Sequence, residues 1–187
     1  MQRADRTFDE SAAATTDFGP YFLLADADLK IFSVFDDLKY DRSDAEIMSP
    51  AMRRHAVAKL ANLGFRQTSG SVLHNKAKDV SCYIPKPQVL GASPFDVTRY
   101  TPKRDKDFYI LTPTQTACQF IDTYPYDLTV EKVISLIQKQ PINLYRILDY
   151  LEHKPAHEAI RPALGYFKSV QRKAVQSEPL CRRRALG

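Results

Sequence analysis

Residues 107–125, DFYILTPTQTACQFIDTYP, contain the change of period on which the fold of this chain turns. Asp107 is followed by Phe-Tyr-Ile-Leu, a short apolar run rich in aromatic and branched side chains that suits a strand better than a helix. Thr112-Pro113-Thr114-Gln115 then forms a capping box with proline at the first helical position. The threonine hydroxyl accepts from the amide three residues on, and the glutamine side chain returns to the threonine amide. A strand therefore hands over to a helix within one residue, with Ala117, Phe120, Ile121 and Tyr124 inward and Pro125 at the end.

Downstream, the spacing stays helical. Val130, Val133, Ile134 and Ile137 fall at i, i+3, i+4, i+7, with Asp127 or Thr129 as the expected cap, and Pro141 breaks that helix. Leu144, Ile147, Leu148 and Leu151 define the next. A last helix is expected over about 156–175 with Ile160, Leu164 and Phe167 inward; Pro162 either kinks it or marks its true start.

Upstream, 65–68, 71–74 and 79–84 read as a meander of short strands, with Ser69-Gly70 as one turn, and 107–111 as the final strand. Pro85 and Pro87 end the third strand, and 86–106 reads as a loop with one strand-like stretch at 96–100. Before the sheet, Ser49-Pro50 supplies an N-cap and first residue for a helix whose face is Met52, Ala56, Leu60 and Leu63 and whose stop is Gly64. Ile31, Val34, Phe35 and Leu38, behind Asp26 or Asp28, predict an earlier helix over 26–40. The expected order is two helices, a small sheet and a helical C-terminal half. That is an α+β fold, a small mixed sheet flanked by helices, in one domain over 18–175 between a flexible extension (1–17) and a basic tail (176–187).

Length and composition agree. The chain has 187 residues, enough to bury one core, and its 44% hydrophobic and 26% charged residues exclude collagen-like, coiled-coil and low-complexity architectures. No apolar run reaches the roughly 18 residues of a membrane span, and the first residues are polar and acidic rather than basic and then apolar. The expectation is a cytoplasmic protein that does not enter a membrane. Net charge is +5, but residues 1–50 hold 5 Lys/Arg against 11 Asp/Glu, whereas 51–187 hold 22 against 11. Basic residues concentrate in the loops around the sheet (Lys76, Lys78, Lys86, Arg99, Lys103, Arg104, Lys106) and in the final segment, which ends on Arg182, Arg183 and Arg184. With Tyr83, Tyr100, Phe108 and Tyr109 interleaved, the loop set is a candidate groove for a nucleic-acid strand or an acidic partner.

Other chemistry is sparse. Cys82, Cys118 and Cys181 share no metal or disulfide spacing. His153 and His157 are four apart, but Pro155 between them opposes a regular helix and no metal site is expected. Cys82 with His74 is a conceivable nucleophile and base without an orienting third group; a buried small hydrophobe is the simpler role. Gly70-Ser71 belongs to a hairpin turn.

The strings LGF (63–65), HNKAKDVSCYIPKP (74–87), DFYILTPTQTACQFIDTYP (107–125) and DLTVEKVISLIQKQPINLYRILDYLE (127–152) resemble small bacterial proteins with a nucleotidyltransferase-like fold, relatives of the AbiEii-type antitoxins, over about 50–155. The resemblance implies a nucleotidyltransferase-like sheet and, for catalysis, a Gly-Ser turn, an Asp-x-Asp pair and a third acid that together hold Mg²⁺ and nucleotide phosphates. Asp26-Ala27-Asp28 has the pair spacing, but Gly19-Pro20 stands in place of Gly-Ser, and the only substitute for the third acid is Asp79. The catalytic set is incomplete. The expectation is thus a degenerate, non-catalytic binding protein without a cofactor. It would act through a protein or nucleic-acid partner in the toxin–antitoxin, phage-defence or mobile-element setting that the resemblance implies. The alternatives are an active Mg²⁺-dependent nucleotidyltransferase using Asp26, Asp28 and Asp79, and a pathogen- or phage-encoded interaction protein.

Overall fold

The computed structural model describes residues 21–34, 50–85, 106–152 and 154–177. Six strands, β1 (Phe22–Asp26), β2 (Ile31–Val34), β3 (Arg66–Gln67), β4 (Val72–Asn75), β5 (Val80–Tyr83) and β6 (Phe108–Leu111), form one sheet in the order β1-β2-β6-β5-β4-β3. Both outer pairs are antiparallel, while β6 lies parallel to β2 on one side and to β5 on the other. Helix α1 (Pro50–Asn62) covers one face. The other carries α2 (Pro113–Thr123), α3 (Tyr126–Ile137), α4 (Leu144–Glu152), a 3₁₀ helix (Pro155–Ile160) and α5 (Ala163–Ser177).

The pleat assigns side chains to the two cores. Phe32, Val34, Leu73, Cys82 and Ile110 meet Met52, Ala56 and Leu60 of α1; Ile31, Tyr83, Tyr109 and Leu111 meet Phe120, Val133, Ile147 and Phe167 of the helical layer. The expected α+β architecture with a mixed sheet and a helical C-terminal half is the one observed.

Its N-terminal part differs. The described part of the helix expected over 26–40 is a β-hairpin, so the sheet gains β1 and β2. All four residues of β2 are buried, because the strand lies between two others and has a core on each side. A strand covered on both faces loses its two-residue period, and Ile-Phe-Ser-Val then satisfies helical spacing equally well. The cap signal was real but closes a turn: Asp26 Oδ1 accepts the Leu29 amide at 2.8 Å, the i to i+3 bond of an N-cap, while Lys30 N–H donates to Ala27 C=O and Lys30 turns left-handed at φ 55°.

The remaining punctuation behaves as its chemistry requires. Thr112 Oγ1 accepts from Gln115 N, and Gln115 Oε1 accepts from Thr112 N, both inside the protein. Gly64, at φ +86°, ends α1 with Phe65 N–H on Leu60 C=O and Gly64 N–H on Ala61 C=O, the two bonds of a Schellman stop. Leu63, expected on the inward face, is instead partly exposed. Asn75 donates from Nδ2 to Leu63 C=O, which ties the helix end to β4. Neither Asp127 nor Thr129 caps α3. Pro125 holds the N-cap position, and Thr129 Oγ1 donates back to Phe120 and Tyr124 carbonyls at the end of α2. Pro162 stands immediately before α5, so it marks the helix start rather than a kink. The 1–17 extension, Ser49, the 86–105 part of the loop with its 96–100 stretch, and the tail from 178 lie outside the described residues.

Candidate functional site

Three places collect polar chemistry. At the first, Asp26 ends β1 with its carboxylate wholly buried. Oδ1 takes the Leu29 amide, both oxygens lie 3.0 Å from Tyr124 Oη, and Oδ2 lies 2.6 Å from Lys132 Nζ. Burial, followed by the bond to Asp26, pushes the Tyr124 phenol above its ordinary pKa, which keeps it a hydrogen-bond donor. The Lys132 ammonium also lies 4.7 Å from the centre of the Tyr124 ring. Asp28 is exposed in the turn, so the Asp-x-Asp pair does not share one strand face. Asp79 precedes β5, three strands across from β1, about 14 Å at the usual strand spacing. The three acids are not brought together, and the one that is buried is already bonded to an ammonium, a phenol and an amide.

The second place is the end of the sheet where β5 and β6 begin. Asp79, left-handed at φ 50°, pairs with Lys106. His74 Nδ1 lies 3.1 Å from Ser81 Oγ, and Asp107 accepts from Ser81 N–H and Tyr83 Oη. His74 faces Ser81 across the ladder and Leu73 faces Cys82, so His74 and Cys82 point to opposite sides. Cys82 is inside the α1 core, and burial, with the Asp107 charge second, drives its thiol well above its ordinary pKa. It is a packed hydrophobe there, not a nucleophile. Of the aromatics of the candidate groove, Tyr83 and Tyr109 pack against each other inside the protein, ring centres 5.5 Å apart, and Phe108 packs on Phe32; Tyr100 lies outside the described residues. Burial first, then the neighbouring Tyr83 and Asp107, pushes the Tyr109 phenol up to about 12. Lys76 and Lys78 occupy the β4–β5 turn. Lys86, Arg99, Lys103, Arg104 and Arg182–Arg184 lie outside the described residues.

The third place is the helical layer. Asp122 on α2 accepts from Tyr150 Oη, and its Oδ1 lies 3.1 Å from His157 Nε2. His157 thus lies beside a carboxylate; His153, four residues earlier, lies outside the described residues. Beside this cluster, Phe167 of α5 points inward, while Gly165, Tyr166, Lys168, Ser169, Arg172 and Lys173 face solvent. Ala163–Ser177 contains no acid, and Lys168, Arg172 and Lys173 form no ion pair with the described residues. Two tyrosines stand out on the same layer: Tyr145 is 74% exposed on α4 and Tyr166 57% exposed on α5. Between these helices lies a recess of about 350 Å³.

The sequence reading counted the charge of this last helix but missed its exposed Tyr166 and the exposed Tyr145 of α4. Helical spacing contained the signal, since putting Leu144, Ile147 and Leu148 inward sends Tyr145 outward, and putting Leu164 and Phe167 inward sends Tyr166 outward. No metal-binding group of three or more His, Cys, Asp or Glu is found among the described residues. No helix among them is long and apolar enough to cross a membrane. No protein-family model, curated protein or solved structure matches this chain.

Proposed function

We propose that this protein is a non-catalytic binding module whose α5 face, with Tyr145 of α4, engages single-stranded nucleic acid. The observation that carries the reading is the conjunction on one helix of three cations, no acid and an outward tyrosine, with a second exposed tyrosine on the neighbouring helix. Cations neutralise phosphates, and aromatic rings stack on bases that are not already paired. Inside a duplex the faces of those bases are already stacked on their neighbours, and only their edges are left to side chains. The degenerate nucleotidyltransferase-like fold belongs to the same proposal, as does the toxin–antitoxin, phage-defence or mobile-element setting. In such a setting the module is the partner that binds rather than reacts. The transferase alternative is disfavoured by the bonding of Asp26, because Mg²⁺ there would have to displace Lys132 and Tyr124.

The test is fluorescence anisotropy with a labelled oligothymidylate across a salt series. Three phosphate contacts on a single strand predict a log–log slope of about −2, and Lys168→Ala should reduce its size by about 0.7. A slope near zero, or one unchanged by Lys168→Ala and Arg172→Ala together, would remove the α5 face from the reading.

A further inference from the structure

We propose that the recess between α4 and α5 is a base pocket, in which one nucleobase of a bound strand is inserted while Lys168 and Arg172 hold the flanking phosphates. The proposal rests on the nucleic-acid reading above and adds where, and how selectively, a base is held.

Gly165 leaves one wall of the recess without a side chain. Leu144 and Leu148 approach from α4 and Leu164 from α5, but Gly165 contributes no side chain, and a Cβ built on it meets nothing within 4 Å. Its volume of about 350 Å³ lies at the lower end of the range of small-ligand pockets. The far wall is fixed. Gln171 donates from Nε2 to Ile142 C=O and accepts Ile142 N–H on Oε1, both at 3.0 Å, as a strand neighbour would. That pairing also consumes the Gln171 amide. The surfaces left to a ligand are mainly apolar side chains and the Tyr145 ring, which suit the flat face of a base rather than its hydrogen-bonding edge. Binding should therefore tolerate any base, favouring those that stack well.

Charge separates this occupant from an acyl chain with a single carboxylate. Lys168 lines the recess, and Arg172 follows one turn later, about 6 Å along the axis. Lys173 lies about 100° round the helix, beside Tyr166, and α5 has no acid to offset these cations. A row of cations beside one apolar slot matches a repeating anion that carries flat apolar groups.

The decisive variant is Gly165→Leu. The open space at Gly165 accepts the side chain, leucine favours the helix, and the new side chain enters the recess. Circular dichroism and thermal melting should show an intact fold that melts no lower than the wild type. Anisotropy at low salt then compares oligothymidylate with an abasic oligonucleotide of equal length. The base in the recess should give the wild type about a tenfold preference for the oligothymidylate, the worth of one stacked base, beyond what stacking on the exposed Tyr166 adds. Gly165→Leu should remove that tenfold while leaving stacking on Tyr166, abasic binding and the salt slope unchanged. If Gly165→Leu keeps the preference, the pocket is overturned and the nucleic-acid reading stands. If neither oligonucleotide binds at low salt, both fall. If decanoate binds the wild type, is excluded by Gly165→Leu, and oligothymidylate shows no advantage over the abasic strand, the recess is an acyl site and the base pocket is overturned.

Discussion

Asp26→Ala tests whether the buried acid of the Asp-x-Asp pair holds the fold together or serves chemistry. The substitution removes a carboxylate that accepts from the Leu29 amide, the Tyr124 phenol and the Lys132 ammonium. Adding a full hydrogen-bond energy for each donor would overcount, because the three share two oxygens and unfolding returns them to water. The better guide is the removal of one member of a buried ion pair, which costs about 3–5 kcal/mol. Lys132 retains 23% exposure and can turn its ammonium partly towards water, so the low end applies. A loss of about 3 kcal/mol with a urea m-value of about 2 kcal/mol per M lowers the unfolding midpoint by about 1.5 M. Equilibrium urea unfolding followed by circular dichroism reads this directly. A double-mutant cycle with Lys132→Ala should recover at least about 1 kcal/mol of coupling. A midpoint that moves by less than about 0.3 M, with m unchanged, would refute the reasoning. It would leave Asp26 available for a role in which stability is not its purpose.

Two further perturbations follow from the fold. Gly64→Ala places a side chain at φ +86° and 3.3 Å from Asn75 Nδ2, so it should cost about 1–2 kcal/mol in urea unfolding; no loss would mean that the Schellman stop does not require glycine. Burial raises the thiol pKa of Cys82 and Cys118 above the unfolded value, so the folded state holds these protons more tightly. The contribution of these thiols to stability should then be constant below about pH 8.5 and fall above it by up to about 1.4 kcal/mol per pH unit for each thiol. Cys82→Ala with Cys118→Ala should flatten that decline at some cost in packing. An unfolding midpoint with the same steep pH dependence in the double variant would assign the decline to other groups.

Signals that depend on neighbours in sequence were legible. The Thr112 capping box, the Gly64 stop and the strand 107–111 each need only a few adjacent residues, and each appears where the sequence puts it. The β1–β2 hairpin was not legible, because β2 is made a strand by its partner β6, whose residue Tyr109 pairs with Ile31. Local spacing contains nothing of that partner. The environment of Asp26 was hidden for the same reason: its donors Tyr124 and Lys132 are 98 and 106 residues away. Within the candidate site, the charge of α5 and the outward Tyr166 and Tyr145 follow from helical spacing. The recess does not, since its walls come from 141–148 and 164–171, which only the packing of two helices brings together.

The parallel pairing of β2 with β6 also orders events in time. Ile31 leaves the ribosome 78 residues before Tyr109, an interval of roughly 4–16 s at ordinary synthesis rates. Throughout it, the apolar β2 has β1 on one side and an open ladder on the other, the kind of edge that invites pairing with another chain. Meanwhile the Arg66–Tyr83 meander can close on local contacts alone. Nascent chains halted before residue 108 should therefore keep the hairpin edge exposed, and it is in that interval that a chaperone, or a second nascent copy, finds this protein most receptive.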